Sequence, residues 1–322
     1  MKFIYLMKNE RSISPPIEPD IKEHIKPFIP PHPARLTKYI PRVGKGIKNY
    51  CELLGLTREP FSMAPDPDFF SHSKQHQECL NRLELSLRLN SGLTVVAGGV
   101  GTGKTTISRV LLDRFTDHEG DYTFFIILNP TWRNNQEFLI HLKKMFHIKD
   151  ESNLLTDMMN QIEHFLLDNA LKYNKRIVVI IDEGQKMGPN QLEIVRSLLN
   201  FETNSMKLIQ FAIFAQPEFI EALNTMENLK DRITYISSIK NIDERDTKAL
   251  IDHRLKIAGL PDGRELFTEN AKNLIHKYTN GFPRKIIITC HNLLVEMLIT
   301  GKLKVDSDLV FKFTQQNNLM YE

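Results

Sequence analysis

Cysteine is scarce in this chain. Only Cys51, Cys79 and Cys290 occur in 322 residues, far apart and with no CxxC pair. That count and spacing argue against a disulfide framework and against a cysteine-built zinc site. Long apolar runs are missing too. The longest, Phe124–Leu128 and Ile177–Ile181, have strand length, well short of the roughly 18 residues a membrane helix needs. The opening Met1–Met7 stretch is apolar but meets Lys8, Glu10 and Arg11 too soon for a secretory h-region. The sequence therefore predicts a cytoplasmic chain with no integral membrane span. No G-x-S-x-G elbow occurs, which argues against a hydrolase triad. His72, His76 and His253 lack a second ligand at metal spacing and read as structural. With 41% hydrophobic and 25% charged residues, the composition is that of an ordinary globular protein with room for one large domain or two smaller ones.

Charge is unevenly placed. Residues 1–49 hold ten Lys/Arg against four acids, a balance of +6 in a chain whose net charge is +3, so the remainder carries −3. The same stretch holds eight of the sixteen prolines. Proline removes amide donors and fixes φ, so this segment is neither a continuous helix nor a central strand. It reads as an extended arm with a basic end at Arg35, Lys38, Arg42, Lys45 and Lys48. Such an arm is either a solvated strap or a binder of a partner or a phosphate backbone.

From residue 50 the pattern alternates. Strands are expected at 93–97, 123–128, 177–181 and 208–214. Helices are expected at 76–89, 105–115, 135–146, 158–173 and 190–200, and from 243 onward the pattern is helical only. Alternating strands and helices imply a parallel sheet covered on both faces. The expected fold class is α/β, a three-layer parallel-sheet domain followed by a small all-helical domain. The expected division is 1–49 (arm), 50–240 (α/β domain) and 241–322 (helical domain).

Gly98-Gly99-Val100-Gly101-Thr102-Gly103-Lys104-Thr105 fits G-x-x-x-x-G-K-[ST] between an expected strand and an expected helix, the context the motif requires. The glycines let successive amides curl around one anion, and the helix N-terminus adds a positive dipole end. Gly98 to Thr106 would bind ATP, with Lys104 on the β- and γ-phosphates and Thr105 on Mg²⁺. A second motif, Ile177-Val178-Val179-Ile180-Ile181-Asp182-Glu183, is an apolar strand ending in two acids, 77 residues beyond Thr105. There Asp182 would hold the Mg²⁺ shell and Glu183 would activate the attacking water.

With these motifs the chain resembles the ExeA/GspA family of AAA+ ATPases, from about residue 50 onward. Pro60-Phe61 and Pro65-Asp66-Pro67-Asp68-Phe69-Phe70 look like the family's PF-x-x-x-PDP-x-F entry. Ala215-Gln216-Pro217-Glu218-Phe219 looks like its GQPEL segment, with alanine for glycine. Leu229-Lys230-Asp231-Arg232-Ile233 resembles its L-x-x-RI box. His253-Arg254-Leu255, Ala258-Gly259 and Gly281-Phe282-Pro283-Arg284 resemble lid elements.

The resemblance implies that Gln216 is the sensor contacting the γ-phosphate or the lytic water. It implies that Arg284 reaches the phosphates from the lid, and that Arg232 is an arginine finger for a neighbouring subunit, with Lys230 and Arg245 as alternatives. Asn129 either restrains the catalytic glutamate or simply forms the turn before Pro130. The PDP-x-F run is expected near the adenine. A homo-oligomer, ring or helical filament, follows from a finger acting in trans.

Longer secretion-pathway members continue into a membrane span and a peptidoglycan-binding part, neither of which is expected here. Short members also resemble the MuB, TnsC and TniB-like regulators of transposition, which bind duplex DNA. Three functions are thus carried forward: an ATP-driven switch or assembly factor of secretion type, a DNA-binding transposition regulator, and a nucleotide-gated scaffold with little turnover.

Overall fold

The computed structural model describes residues 50–317, except 65, 72, 116–120, 150–151, 153 and 205. The arm at 1–49, Pro65 of the PDP-x-F run and His72 lie outside the described residues.

Five strands form one parallel sheet: β1 (Leu93–Gly98), β2 (Tyr122–Ile127), β3 (Arg176–Ile181), β4 (Ile209–Ala215) and β5 (Ile233–Ile239). Their order is β2-β3-β4-β1-β5. The central strands are the near-continuous apolar runs. Every residue of β1 and β4 is buried, as are the last five of β3, because helices cover both faces. The fifth strand was not expected from the sequence. It lies at an edge and alternates between partly covered and exposed residues up to Ile239, so it lacks the apolar run that marks the others.

One face packs Val95, Val179, Phe211 and Ile213 against α4 (Asn135–Met145), α5 (Leu155–Tyr173) and α6 (Pro189–Leu198), through residues such as Phe138, Leu142, Ile162 and Val195. The other packs Val96, Val178, Ile180 and Phe214 against α2 (Lys74–Arg88) and α3 (Lys104–Arg114), through Leu80, Leu83, Ile107 and Leu111. Short helices α7 (Glu218–Asn224) and α8 (Glu227–Lys230) lead from β4 to β5.

The helical part contains α9 (Glu244–Ile257), α10 (Glu269–Thr279), α11 (Pro283–Ile299) and α12 (Ser307–Asn317). Asp243 and Thr268 cap α9 and α10 by accepting from the amides of Asp246 and Ala271, which satisfies otherwise orphaned donors. Gly281 follows α10 at φ +69°, and an added Cβ there would stand 2.0 Å from the Ile242 carbonyl. That glycine lets the chain leaving β5 pass against the turn between α10 and α11, where the Ile242 amide donates to the Gly281 carbonyl at 2.9 Å.

The core of these helices also takes in the segment before the sheet. Cys51 and Leu54 of α1 (Tyr50–Leu54), with Leu56, Phe61 and Phe69, are buried among Leu255, Phe267, Ile275, Ile286 and Leu293. Phe61 meets Phe267 edge-on at 5.8 Å. Truncating a buried phenylalanine costs about 3–5 kcal/mol. Phe61→Ala is therefore expected to lower urea-unfolding stability by roughly that amount. A loss well under 1 kcal/mol would show that this segment is not part of the helical core.

Candidate nucleotide-binding site

Strand β1 runs into a loop that its glycines make possible. Gly101 (φ +80°) and Gly103 (φ +101°) occupy the left-handed region that other residues avoid. At Gly98 a Cβ would come within 2.7 Å of the Thr102 hydroxyl oxygen and 3.0 Å of the Ile239 carbonyl. The loop closes on itself, with the Thr102 hydroxyl donating to the Gly99 carbonyl at 2.9 Å. Helix α3 starts at Lys104, whose ammonium is buried and donates to the carbonyls of Gly98 (2.7 Å) and Gly99 (2.9 Å). Burial presses it below its ordinary pKa, against the opposing pull of Glu183, Asp182 and Glu218. Three carboxylates thus act on the lysine at the head of the loop.

The acids arrive from β3, two strands away with β4 between. The Thr105 hydroxyl donates to Asp182 Oδ2 at 2.8 Å. Asp182 is buried, and its Oδ1 accepts from the Glu183 amide at 2.9 Å. Glu183 itself sits at φ 57°, ψ 37°, a left-handed conformation that costs a non-glycine residue about 1–2 kcal/mol. Its carboxylate accepts from the Gln185 side-chain amide at 2.7 Å. Gln216 follows β4, and its backbone N–H donates to Gln185 Oε1 at 3.0 Å. Asn129 follows β2 and is engaged elsewhere: its Oδ1 accepts from Lys186 at 2.9 Å, and its amide donates to Thr131 at 3.3 Å.

A cleft of about 60 Å³ beside the loop is lined by Phe69, Phe70, His76, Thr102, Gly103, Thr106, Ile242, Leu250, Arg254, Pro283 and Ile287. It joins the loop, the PDP-x-F run and helices α9 and α11. Val100, at the loop tip, is largely exposed. Arg284 stands exposed at the start of α11 and docks its backbone on the loop, its N–H donating to the Gly101 carbonyl at 3.1 Å. A Cβ on Gly101 would meet Arg284 Cβ at 2.8 Å. Arg254 is buried and donates to the carbonyls of Pro60 (2.6 Å) and Ser62 (3.0 Å), with its guanidinium 4.8 Å from the Phe69 ring centre. Desolvation lowers its pKa to about 10.

The donor set suits Mg²⁺. A threonine hydroxyl and one carboxylate are hard oxygen ligands, few in number, as befits an ion that shares its shell with water and phosphate. Among the described residues no group of three His, Cys, Asp or Glu could hold a metal alone.

A family model described as an AAA domain matches residues 87–223, from the end of α2 to α7. The chain is 34% identical over 260 residues to General secretion pathway protein A of Aeromonas hydrophila, covering 80% of this chain and 46% of that one. The Aeropyrum pernix ORC2 protein in its ADPNP-ADP complexes superposes with a TM-score of 0.61 at 19% identity, over 80% of this chain and 71% of that one. A Drosophila ORC chain, in a structure bound to DNA, gives 0.56 at 15% identity, over 88% and 73%. The chain carries an AAA domain. Its fold is the AAA+ P-loop α/β fold, and it spans less than half the length of the curated relatives it matches.

In this chain Arg232 stands apart from the loop. It immediately precedes β5, whose Ile233 is paired with Leu93 at the start of β1, whereas the loop follows Gly98. Five strand steps put the two roughly 17 Å apart along the sheet. Arg232 is exposed, and its charge helps lower the pKa of Glu202, after the larger effect of Lys207. No helix among the described residues is long and apolar enough to cross a membrane.

Two supports escape a reading of sequence. His76 lies 26 residues from Thr102, yet its Nε2 is 2.7 Å from the Thr102 carbonyl, so that nitrogen carries the proton. Its Nδ1 faces the Ser73 hydroxyl at 2.5 Å, so the serine donates to it in the neutral ring. Nothing in the local pattern signals that bond. Gln185 lies only two residues beyond Glu183, and an amide that close to an acid pair was a signal available to be read.

Burial lowers the His76 pKa, with the Thr102 carbonyl and Asp246 opposing. The unfolded chain then binds the proton more tightly than the folded one. Stability from neutral His76 is full above the ordinary histidine value of about 6.5 and is lost as pH falls through it toward the folded value. Between about pH 7.5 and about pH 5.5, His76→Gln is expected to lose less Tm than wild type. Equal losses would mean that His76 does not contribute to the acid sensitivity.

Proposed function

We propose that this chain is a Mg²⁺-dependent ATPase that self-assembles and works as an ATP-driven switch or assembly factor. The observation that carries the reading is the 2.8 Å bond from Thr105 to Asp182, with Glu183 next in the chain and Lys104 at the head of the same helix. In this reading residues 50–240 act as the nucleotide domain, 241–322 as its lid, and 1–49 as the arm. The loop amides and Lys104 grip the phosphates. Thr105 and Asp182 would hold Mg²⁺, which supplies charge neutralisation at the phosphate oxygens when bound. Glu183 takes the proton of the attacking water, Gln216 helps to orient that water, and Arg284 reaches in from the lid.

The 60 Å³ cleft is small beside the 300 Å³ or so of ordinary small-molecule sites. Seating a nucleoside therefore involves α9 and α11 moving away from α2 and the loop. Arg232, far from its own loop, serves the site of a neighbouring copy, which ties hydrolysis to assembly.

For the pathway served, the similarity to a protein named for general secretion supports a secretion-type role in the cytoplasm, and that is our first reading. The +6 balance of residues 1–49 supports a second, DNA-binding regulation of transposition.

Lys104→Ala is expected to abolish ATP binding. Glu183→Gln should keep binding and lose roughly 10²–10⁴-fold in phosphate release; wild-type turnover in that variant would remove Glu183 from its role. Arg232→Ala should lose about 10³-fold or more. Mixing it with Glu183→Gln should recover part of the turnover, since each supplies what the other lacks. Absence of recovery between two folded, ATP-binding variants would rule out action in trans. Duplex DNA should bind with a non-hydrolysed ATP analogue at low salt and release steeply as salt rises if the second reading holds. No binding at low salt eliminates it.

A further inference from the structure

The turn after β3 is tied to both of its neighbours. Gly184 lies against β4 so closely that an added Cβ would be 2.3 Å from Ile213 Cγ2. Lys186 reaches Asn129 at the end of β2. Gln185 reaches the other way, to the end of β4. The orientation of the Gln185 amide follows from chemistry alone. The backbone N–H of Gln216 can only donate, so the atom facing it is the carbonyl oxygen. The NH₂ group must then point away, and it lies 2.7 Å from Glu183 Oε2. Glu183 needs such a restraint, because its backbone is held in the left-handed region and its side chain is only partly buried. A strained residue persists only where its surroundings over-determine it.

We propose that Gln185 is the positioning residue for Glu183, a one-side-chain strut that links the base carboxylate to the start of the Gln216 segment. Asn129 does not hold this place, since its side chain is engaged by Lys186 and Thr131. The strut also means that any shift of the Gln216 segment moves the donor that aims the carboxylate. The proposal rests on the reading of Glu183 as the base for ATP hydrolysis.

The test is Gln185→Leu in the full chain, which keeps the side chain's bulk and removes both bonds. Losing a hydrogen bond to a charged group predicts a fall in kcat of about tenfold or more, with the KM for ATP within about twofold, since a positioning loss falls on kcat. Amide exchange at Gln216 should quicken by about tenfold, because its acceptor is gone, while exchange along β4 stays as in wild type. Gln185→Ala serves as a second variant should the leucine crowd the turn. Unchanged kcat in a variant whose Gln216 amide exchanges faster overturns the assignment. So does a matched collapse of kcat, KM and Tm, which marks a general structural role. Wild-type protein that binds ATP but releases no phosphate is a different failure: it overturns the ATPase reading itself, and the strut's role with it.

Discussion

Burial of β1, β3 and β4 on both faces is the constraint on which the site depends. Strands covered on both sides must run as uninterrupted apolar stretches, and parallel strands need helical crossovers. Their polar chemistry is therefore confined to the residues just past their carboxyl ends. In this sheet those ends carry Asp182, Gln216 and Gly98 side by side, on β3, β4 and β1 in turn. The lysine, the threonine and the two acids meet because the sheet leaves them nowhere else to emerge, and the crevice at that edge is where open α/β sheets take ligands.

Once that edge exists, small residues decide how closely its parts approach. Gly98 makes room for the Thr102 hydroxyl, Gly101 for Arg284, and Gly184 for Ile213, each closer than a Cβ tolerates. The loop is thus in contact with β5, α11 and α2 together. That arrangement suits a site whose occupant is felt in two packed units. Cys51, Leu54, Leu56, Phe61 and Phe69 strengthen the coupling, because they are buried in the core of α9–α12 before the chain enters the sheet. The Arg58 and Arg254 guanidiniums both lie over the Phe69 ring, at 4.7 and 4.8 Å from its centre, while its neighbour Phe70 packs with the α2–α3 layer.

Polar groups at the site are held by partners from other elements more than by their own. His76 supports the loop from α2, and Gln185 joins Glu183 to the end of β4. Buried or half-buried polar groups need such partners, and a single absent partner costs more than the bond contributes on average. The local strain at Glu183 fits this pattern: strained conformations survive where several contacts agree on them.

Much of this was legible in the residues alone. The apolar runs of β1, β3 and β4, the glycine spacing from Gly98 to Gly103, and the acid pair closing a strand are local patterns. Each is written within about ten residues and set by periodicity and backbone freedom. The five longer helices that pack on the sheet were legible for the same reason, to within a few residues at their ends, whereas the short α7 and α8 carried no such pattern. Strand β5 was not, because an edge strand with one open side carries alternating, half-polar residues that resemble a loop. The partners of Asn129, His76 and Glu183, the docking of Arg284 on Gly101, and the membership of Phe61 in the core of α9–α12 were decided only by the tertiary structure. They join residues far apart in the chain or choose among several equally polar neighbours, and no short-range pattern encodes which side chain a carbonyl or carboxylate will face once the sheet has brought its loops together.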